Sequence, residues 1–424
     1  MSFPKGFFLG VATAAHQVEG NNIHSDYWLQ EHMPHSSFAE PSGIACDHYN
    51  RYKEDIRLMA RAGLNAYRFS VEWARIEPEE GKFDEAEIEH YRKVIRCCRE
   101  NGIEPIVTLM HFTSPAWLIR KGGWEAESTV GYFRRYAAYA AEKLGNDLNY
   151  ICTINEANMG LQLAAIARRF QLMAKQAQAK SAEGTVQVGM NFQKMMENMQ
   201  FAARENAEAF GTPNPQVFVS SRTAEGDALV MRAHQTAKEA IKAVHPHIRV
   251  GLTLSLHDLQ ALPGGEAHAE KAWDEEFRHY LPYIQGDDFL GVQNYTRTQY
   301  GPEGQLPAPH GAELTQMDYE FYPEALEHVI RKVHADFRGD LIVTENGVAA
   351  ADDARRVAFI QRALQGVKNC LKDGIPVRGY CYWSLMDNFE WQKGFAMKFG
   401  LIAVDRATME RIPKESLTFL GRQR

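Results

Sequence analysis

Two glutamates stand where a chain building a hydrophobic core has no ordinary use for them. Glu156 closes the apolar run Tyr150–Glu156, and Glu345 closes Leu341–Glu345. Burying an unpaired carboxylate is costly. Each residue alone has a plainer explanation: Glu156 as an acid at a helix N-terminus, Glu345-Asn346-Gly347 as an Asn-Gly turn. Taken together with Arg68 and Tyr295, at the ends of neighbouring runs, they read as a catalytic pair. Paired carboxylates suit cleavage of a glycosidic bond, in which one protonates the departing oxygen while the other attacks the anomeric carbon. That chemistry needs unequal acidities: the acid's pKa raised, the nucleophile's kept low by a cation and hydrogen-bond donors. Arg68 and Tyr295 are candidates to do this for Glu345. Trp383 and Trp391 could offer flat faces to a sugar ring, or could be ordinary aromatic core.

Other chemistries lack their residues. There is no Walker-type phosphate loop, no GxGxxG after the first strand candidate and no GxSxG elbow. Lysines near strand ends, where a Schiff base would form, are limited to Lys393 and Lys398 in the last loop. His24, His32, His35, Cys46 and His48 cluster in sequence, but their spacing matches no structural zinc pattern, so no metal is expected.

The elements that would position the pair recur rhythmically. Apolar, β-rich runs lie at Phe7–Ala14, Ala66–Trp73, Glu104–His111, Tyr150–Glu156, Arg249–Leu256, Phe289–Tyr295, Leu341–Glu345 and Val377–Leu385. Most are continuous rather than alternating, as in strands buried on both faces of a parallel sheet. Helical patterns separate them. Asp84 to Asn101 opens on a capping box, Asp84 with Glu87, and stops at Gly102; Asp353–Lys372 stops at Gly374. Eight strands alternating with helices predict an α/β chain folded as a single (β/α)₈ TIM barrel, whose chemistry sits at the C-terminal strand ends. No linker divides the chain, so residues 1–424 are expected to form one catalytic domain. The stretch Met159–Val217, rich in Met, Ala and Gln, reads as an atypical helical insertion after the fourth strand, lying over or beside one end of the barrel.

Composition narrows the partners. In 424 residues, 45% hydrophobic and 24% charged, Lys+Arg number 47 and Asp+Glu 54, a net charge of −7. This ordinary globular profile excludes a disordered chain, and its acidity speaks against nucleic-acid or anionic-membrane surfaces. The six cysteines show no CxxC spacing, the N-terminus lacks signal-peptide features, and no run of about 18 apolar residues occurs. A cytoplasmic protein with reduced thiols is expected. Its oligomeric state is not legible.

With these residues in view, the sequence resembles glycoside hydrolase family 1, the β-glucosidase family of retaining (β/α)₈ enzymes. The likeness runs through Phe3-Pro4-Lys5-Gly6-Phe7-Phe8-Leu9-Gly10, Ala15-His16-Gln17-Val18-Glu19-Gly20, Cys46-Asp47-His48-Tyr49 and Tyr67-Arg68-Phe69-Ser70. It continues in Thr108-Leu109-Met110-His111-Phe112, Asn155-Glu156, Thr344-Glu345-Asn346-Gly347 and Trp383-Ser384-Leu385-Met386-Asp387-Asn388-Phe389-Glu390-Trp391. The resemblance implies a retaining exo-β-glycosidase, a β-glucosidase first, that takes a small β-glycoside and needs no cofactor. Glu156 would be the acid/base and Glu345 the nucleophile, supported by Arg68 and Tyr295. Gln17, His111, Asn155, Glu390 and Trp391 would hold the sugar, with Trp383 as its platform. Relatives acting on 6-phosphosugars carry a serine in place of Glu390 and a tyrosine where Phe399 stands, so an unphosphorylated sugar is implied.

The chain departs from the family pattern in three places. Ala157 follows Glu156 where proline is usual, Gln293 precedes Asn294-Tyr295-Thr296 where asparagine is usual, and the family's elements after the fourth strand are not recognisable in Met159–Val217. Alternatives to glucosidase action are β-galactosidase or β-fucosidase specificity and transglycosylation. A non-hydrolytic carbohydrate-binding protein is the competing reading from another class.

Overall fold

A computed structural model describes residues 2–175 and 187–424. Its central sheet is a ring of parallel strands: Phe8–Thr13 (β1), Ala66–Ser70 (β2), Glu104–Met110 (β3), Tyr150–Ile154 (β4), a two-segment strand Arg249–Gly251 with Thr253–Ser255 (β5), Phe289–Gln293 (β6), Asp340–Asn346 (β7) and Val377–Trp383 (β8). Each pairs with its neighbours in sequence, and β8 pairs with β1 through registers such as Leu9–Tyr380 and Val11–Tyr382. The two halves of β5 divide the pairing. Arg249–Gly251 pairs with β4 and Thr253–Ser255 with β6. Between them the Leu252 carbonyl accepts the Gly291 N–H at 2.9 Å, so the ring runs on without an open edge.

The strands are buried nearly throughout, β2 and β6 at every position, which is why they appear as continuous apolar runs. Seven of the eight runs overreach at the C-terminal end. Ala14, Trp73, His111, Glu156, Leu256, Tyr295 and Leu385 lie beyond the last ladder pairs, Trp73 opening a short helix, Trp73–Ile76. These residues remain buried as the chain turns into the mouth loops, and an apolar pattern reports burial rather than ladder hydrogen bonds.

Helices pack outside the ring. Glu85–Glu100 starts at Asp84, whose carboxylate accepts the N–H groups of Ala86 at 2.8 Å and Glu87 at 3.3 Å. The other half of the expected capping box does not form: Asp84 N–H goes to the Ile76 carbonyl and Glu87 takes the Tyr49 hydroxyl at 3.1 Å. Asp353–Lys372 begins instead from Asp352, which caps Ala354 N–H at 2.9 Å. The Met-rich stretch contributes helices Met159–Lys175 and Phe192–Phe210; its residues 176–186 lie outside the described part. Phe192–Phe210 is fastened to the segment after β1 by Lys194 to the Phe38 carbonyl at 2.7 Å and by His35 to Glu205 at 2.6 Å. Met196 and Met199 on this helix are about two-thirds exposed.

Candidate active site

The expected site residues converge at the C-terminal rim. Arg68 lies within β2, His111 just after β3, Asn155 and Glu156 after β4, Tyr295 after β6, Glu345 near the end of β7 and Trp383 at the end of β8. Gln17 sits in a short helix, Ala15–Val18, after β1, while Glu390 and Trp391 lie in the loop after β8. The pairing of β7 with β6 skips Thr344: Val343 pairs with Val292, then Glu345 with Gln293. Such a bulge breaks strict alternation and re-aims the side chain that follows it.

Glu345 is braced on both oxygens. Arg68 donates through Nη1 to Oε1, and the Tyr295 hydroxyl donates to Oε2 at 2.6 Å. The other arms of the fully buried guanidinium go to Asn155 Oδ1 at 2.5 Å and Thr108 Oγ1 at 3.0 Å. Asn155 turns its Nδ2 to His111 Nε2 at 3.1 Å. In that arrangement His111 Nε2 accepts and Nδ1 carries the proton; Nδ1 has no partner among the described residues. Burial, followed by the Arg68 charge, holds His111 well below the usual imidazole range, so it is neutral.

Glu156 is held differently. Its N–H donates to Thr253 Oγ1 at 3.0 Å, and its backbone φ of 44° lies in the left-handed region, which is strained for a glutamate. Gln293 Nε2 reaches Oε1 at 3.4 Å, whereas Oε2 has no partner among the described residues. Burial and then the Glu345 charge push Glu156 well above the carboxylate range, against the pull of Arg68. Burial lifts Glu345 as well, so the expectation of a low nucleophile pKa is not met in absolute terms. Arg68, Tyr295 and Gln293 oppose that lift. The pair is therefore ordered as acid chemistry requires, with the proton retained on Glu156.

The sugar-facing candidates form a connected wall. Gln17 Nε2 donates to the Phe389 carbonyl at 2.7 Å and lies 3.5 Å from Glu390 Oε2, while Gln17 Oε1 has no partner among the described residues. Glu390 is pushed up to about 8, by burial first and also by the Glu345 charge, while Gly189 N–H and Gln17 pull it down. The His111 ring stacks on both tryptophans, 5.7 Å from Trp383 and 6.0 Å from Trp391. Trp391 in turn lies nearly parallel to His16, at 6.0 Å and 6°.

Sequence reasoning missed three contributors. Tyr319 is buried, its hydroxyl has no partner among the described residues, and it feels the charges of Glu390 and Glu156. Gln187 accepts the Tyr295 N–H at 2.8 Å and donates to Ser255 Oγ at 3.0 Å. Gly189 rests on Glu390, where a Cβ would stand 2.5 Å from the Glu390 carbonyl oxygen. Tyr319 comes from an irregular loop and the other two from the Met-rich stretch, so neither periodicity nor spacing marked them. The histidines and cysteine of the early cluster separate: His48 bonds Asp55 at 2.7 Å, His35 pairs with Glu205, and Cys46 faces the Asp387 carbonyl. All six cysteines are unpaired and buried.

A cavity of about 1100 Å³ is walled by Leu163, Ile166, Met190, Phe192, Met195 and Gln392 among others. Neither Glu156 nor Glu345 lines it.

Comparison with known proteins agrees with this geometry. The model of glycosyl hydrolase family 1 matches residues 1–179 and 292–422. A β-glucosidase of Agrobacterium sp. is 28% identical, the match covering 98% of this chain and 93% of that protein. Thermostable β-glucosidase B of Thermobispora bispora is 31% identical over 98% of this chain and 89% of its own. A solved β-glycosidase, BGL167, superposes with a TM-score of 0.85 at 46% identity, covering 99% of this chain and 96% of that one. Barrel, carboxylate pair and full-length likeness lead to one conclusion: the chain belongs to glycosyl hydrolase family 1 and is a glycosidase.

Proposed function

We propose that this glycosidase is a retaining, exo-acting β-glucosidase for unphosphorylated sugars, with the whole of residues 1–424 as one catalytic unit. Glu345 attacks the anomeric carbon while Glu156 gives its proton to the leaving oxygen; Glu156 then takes a proton from the water that releases the sugar. The observation that carries this reading is the unequal setting of the two glutamates. Arg68 and Tyr295 hold both oxygens of Glu345, whereas Glu156 has a raised pKa and an Oε2 with no partner among the described residues. Gln17, His111, Asn155, Glu390 and Trp391 bind the glycone, and Trp383 is its platform. Their unpartnered atoms, Gln17 Oε1 and His111 Nδ1, are an acceptor and a donor for sugar hydroxyls. Glu390 lies within the field of Glu345, a poor setting for a phosphate dianion. The unpaired, buried thiols suit a reducing, cytoplasmic compartment.

Initial rates on an aryl β-D-glucoside and its 6-phospho counterpart test the assignment. Turnover confined to the neutral glucoside is expected. Turnover of the phosphosugar would overturn the role of Glu390, and turnover of neither would reject β-glucosidase action. Proton NMR of the first-formed sugar settles stereochemistry, with the β-anomer expected. Products formed with an added alcohol acceptor separate hydrolysis from transglycosylation.

A further inference from the structure

Arg222 lies between the helices Phe192–Phe210 and Ala224–Val244 and is only 5% exposed. Among the described residues no carboxylate forms an ion pair with it. Main-chain carbonyls hold it instead: Nη2 donates to Phe218 O at 2.7 Å, and Nη1 reaches Ala157 O at 3.4 Å. The guanidinium lies over the Phe218 ring at 4.5 Å. The Arg222 N–H donates to Gly160 O at 3.1 Å. Gly160 leaves room for the side chain, because a Cβ there would stand 2.6 Å from the guanidinium carbon. Asp227 and Glu125 attract the charge from beyond ion-pair distance, but burial outweighs them and lowers the Arg222 pKa, so filling space is a weak reason for arginine at this position.

The segment it grips begins one residue after Glu156. Glu156 is strained at a φ of 44°, and Ala157 supplies none of the rigidity that a proline ring would give the turn. Other contacts must therefore hold it. Ala157 N–H goes to Thr253 O at 3.0 Å. Asn158 bonds the Ser255 main chain in both directions, at 2.7 and 3.0 Å. Asn158 Nδ2 also reaches the Glu276 carbonyl at 3.0 Å. Arg222 adds a tie to each end of Ala157–Gly160, its side chain to Ala157 O and its main-chain N–H to Gly160 O.

We propose that Arg222 is a positioning residue for Glu156, clamping the Ala157–Gly160 turn so that the proton donor stays aimed at the leaving oxygen. This rests on the reading of Glu156 as the acid/base given above.

A leaving-group comparison tests it. Arg222→Met keeps an apolar stem of similar length and removes the side-chain donors. Measure kcat/KM for phenyl β-D-glucoside, whose leaving group needs a proton, and for 2,4-dinitrophenyl β-D-glucoside, whose leaving group departs without one. General acid catalysis is worth about 10²–10⁴-fold, and a misplacement of about 1 Å can cost about 10²-fold. The expected loss is therefore about ten- to hundredfold on the phenyl glucoside and within about threefold on the dinitrophenyl glucoside. Equal losses on the two substrates, or none on either, would overturn the positioning role. If Arg222→Met does not fold, Arg222→Gln, whose shorter amide stays polar but stops short of the Ala157 carbonyl, is read in the same way: a loss selective for the phenyl glucoside supports the proposal, and an unselective or absent loss overturns it. Wild-type silence on both glucosides would instead reject the functional reading itself, and would be visible before any variant is compared.

Discussion

Replacing Tyr295 with phenylalanine removes one oxygen atom from the site and little else. That hydroxyl donates to Glu345 Oε2 at 2.6 Å, is buried, and is joined on the other carboxylate oxygen by Arg68. A hydrogen bond to a charged group is worth about 1.5–3 kcal/mol. Here it acts on the ionised form of Glu345, because a protonated oxygen would lose the acceptor. Removing it must raise the pKa of Glu345 further, so the acidic limb of the pH profile of kcat/KM moves to higher pH. On that limb the rate follows the ionised fraction, and about 1.5–3 kcal/mol corresponds to a loss of roughly 10- to 150-fold at fixed pH. On the plateau the loss is smaller, since only orientation is affected there. The assay is kcat/KM on an aryl β-glucoside from acid to neutral pH, for wild type and Tyr295→Phe. Profiles that superimpose after scaling by one constant would refute the reasoning, showing that Tyr295 aligns Glu345 without stabilising its charge.

Glu345→Gln is expected to reduce turnover by at least about 10⁴-fold with the fold retained, since glutamine keeps the volume and an acceptor for Arg68; circular dichroism and initial rates check both halves. Glu156 must be protonated in the first step, and its pKa is raised, so wild-type kcat/KM falls as pH rises through that raised pKa. Glu156→Gln should lose this alkaline limb and react slowly with all but the best leaving groups, and an unchanged limb would assign it to another residue. Asp55 tests stability away from the mouth. Burial pushes it up, but hydrogen bonds from Arg411 at 2.7 and 2.8 Å and from His48 outweigh this and leave it below the usual range. Its stabilisation is present above the unfolded pKa of about 3.9 and is lost as pH falls through the lower folded value. Asp55→Asn leaves Arg411 buried beside a neutral group and should cost about 3–5 kcal/mol in denaturant unfolding at pH 7, a difference that shrinks toward the acid limit.

Much of this molecule was legible before folding was considered. Strands buried on both faces must be apolar at every position, so Ala66–Ser70 and Phe289–Gln293 announce themselves without alternation. A carboxylate at the end of such a strand has few structural uses, which made Glu156 and Glu345 conspicuous, and the motifs around Arg68, His111, Tyr295 and Glu390 surround them with suitable company. The strand ends were less legible. Tyr295 and His111 are as buried as ladder residues although they lie outside the ladder, and an apolar pattern carries no information about which backbone groups are paired.

The tertiary structure decided what depends on contacts between distant segments. The division of β5 at Leu252, the skipped pairing at Thr344 and the left-handed backbone of Glu156 are set by neighbouring strands. So is the placement of Gln187 between Tyr295 and Ser255, 108 and 68 residues away along the chain. Even the relative acidity of the two glutamates is a tertiary property. Residue type sets where a carboxyl starts, but burial, the facing charge and the donors of Arg68 and Tyr295 set where it ends. The sequence by itself determined which groups are available and which runs must be buried. Only folding brought them within the few ångströms over which hydrogen bonds and unscreened charges act, and that is the distance at which two glutamates of one chemistry come to hold their protons differently.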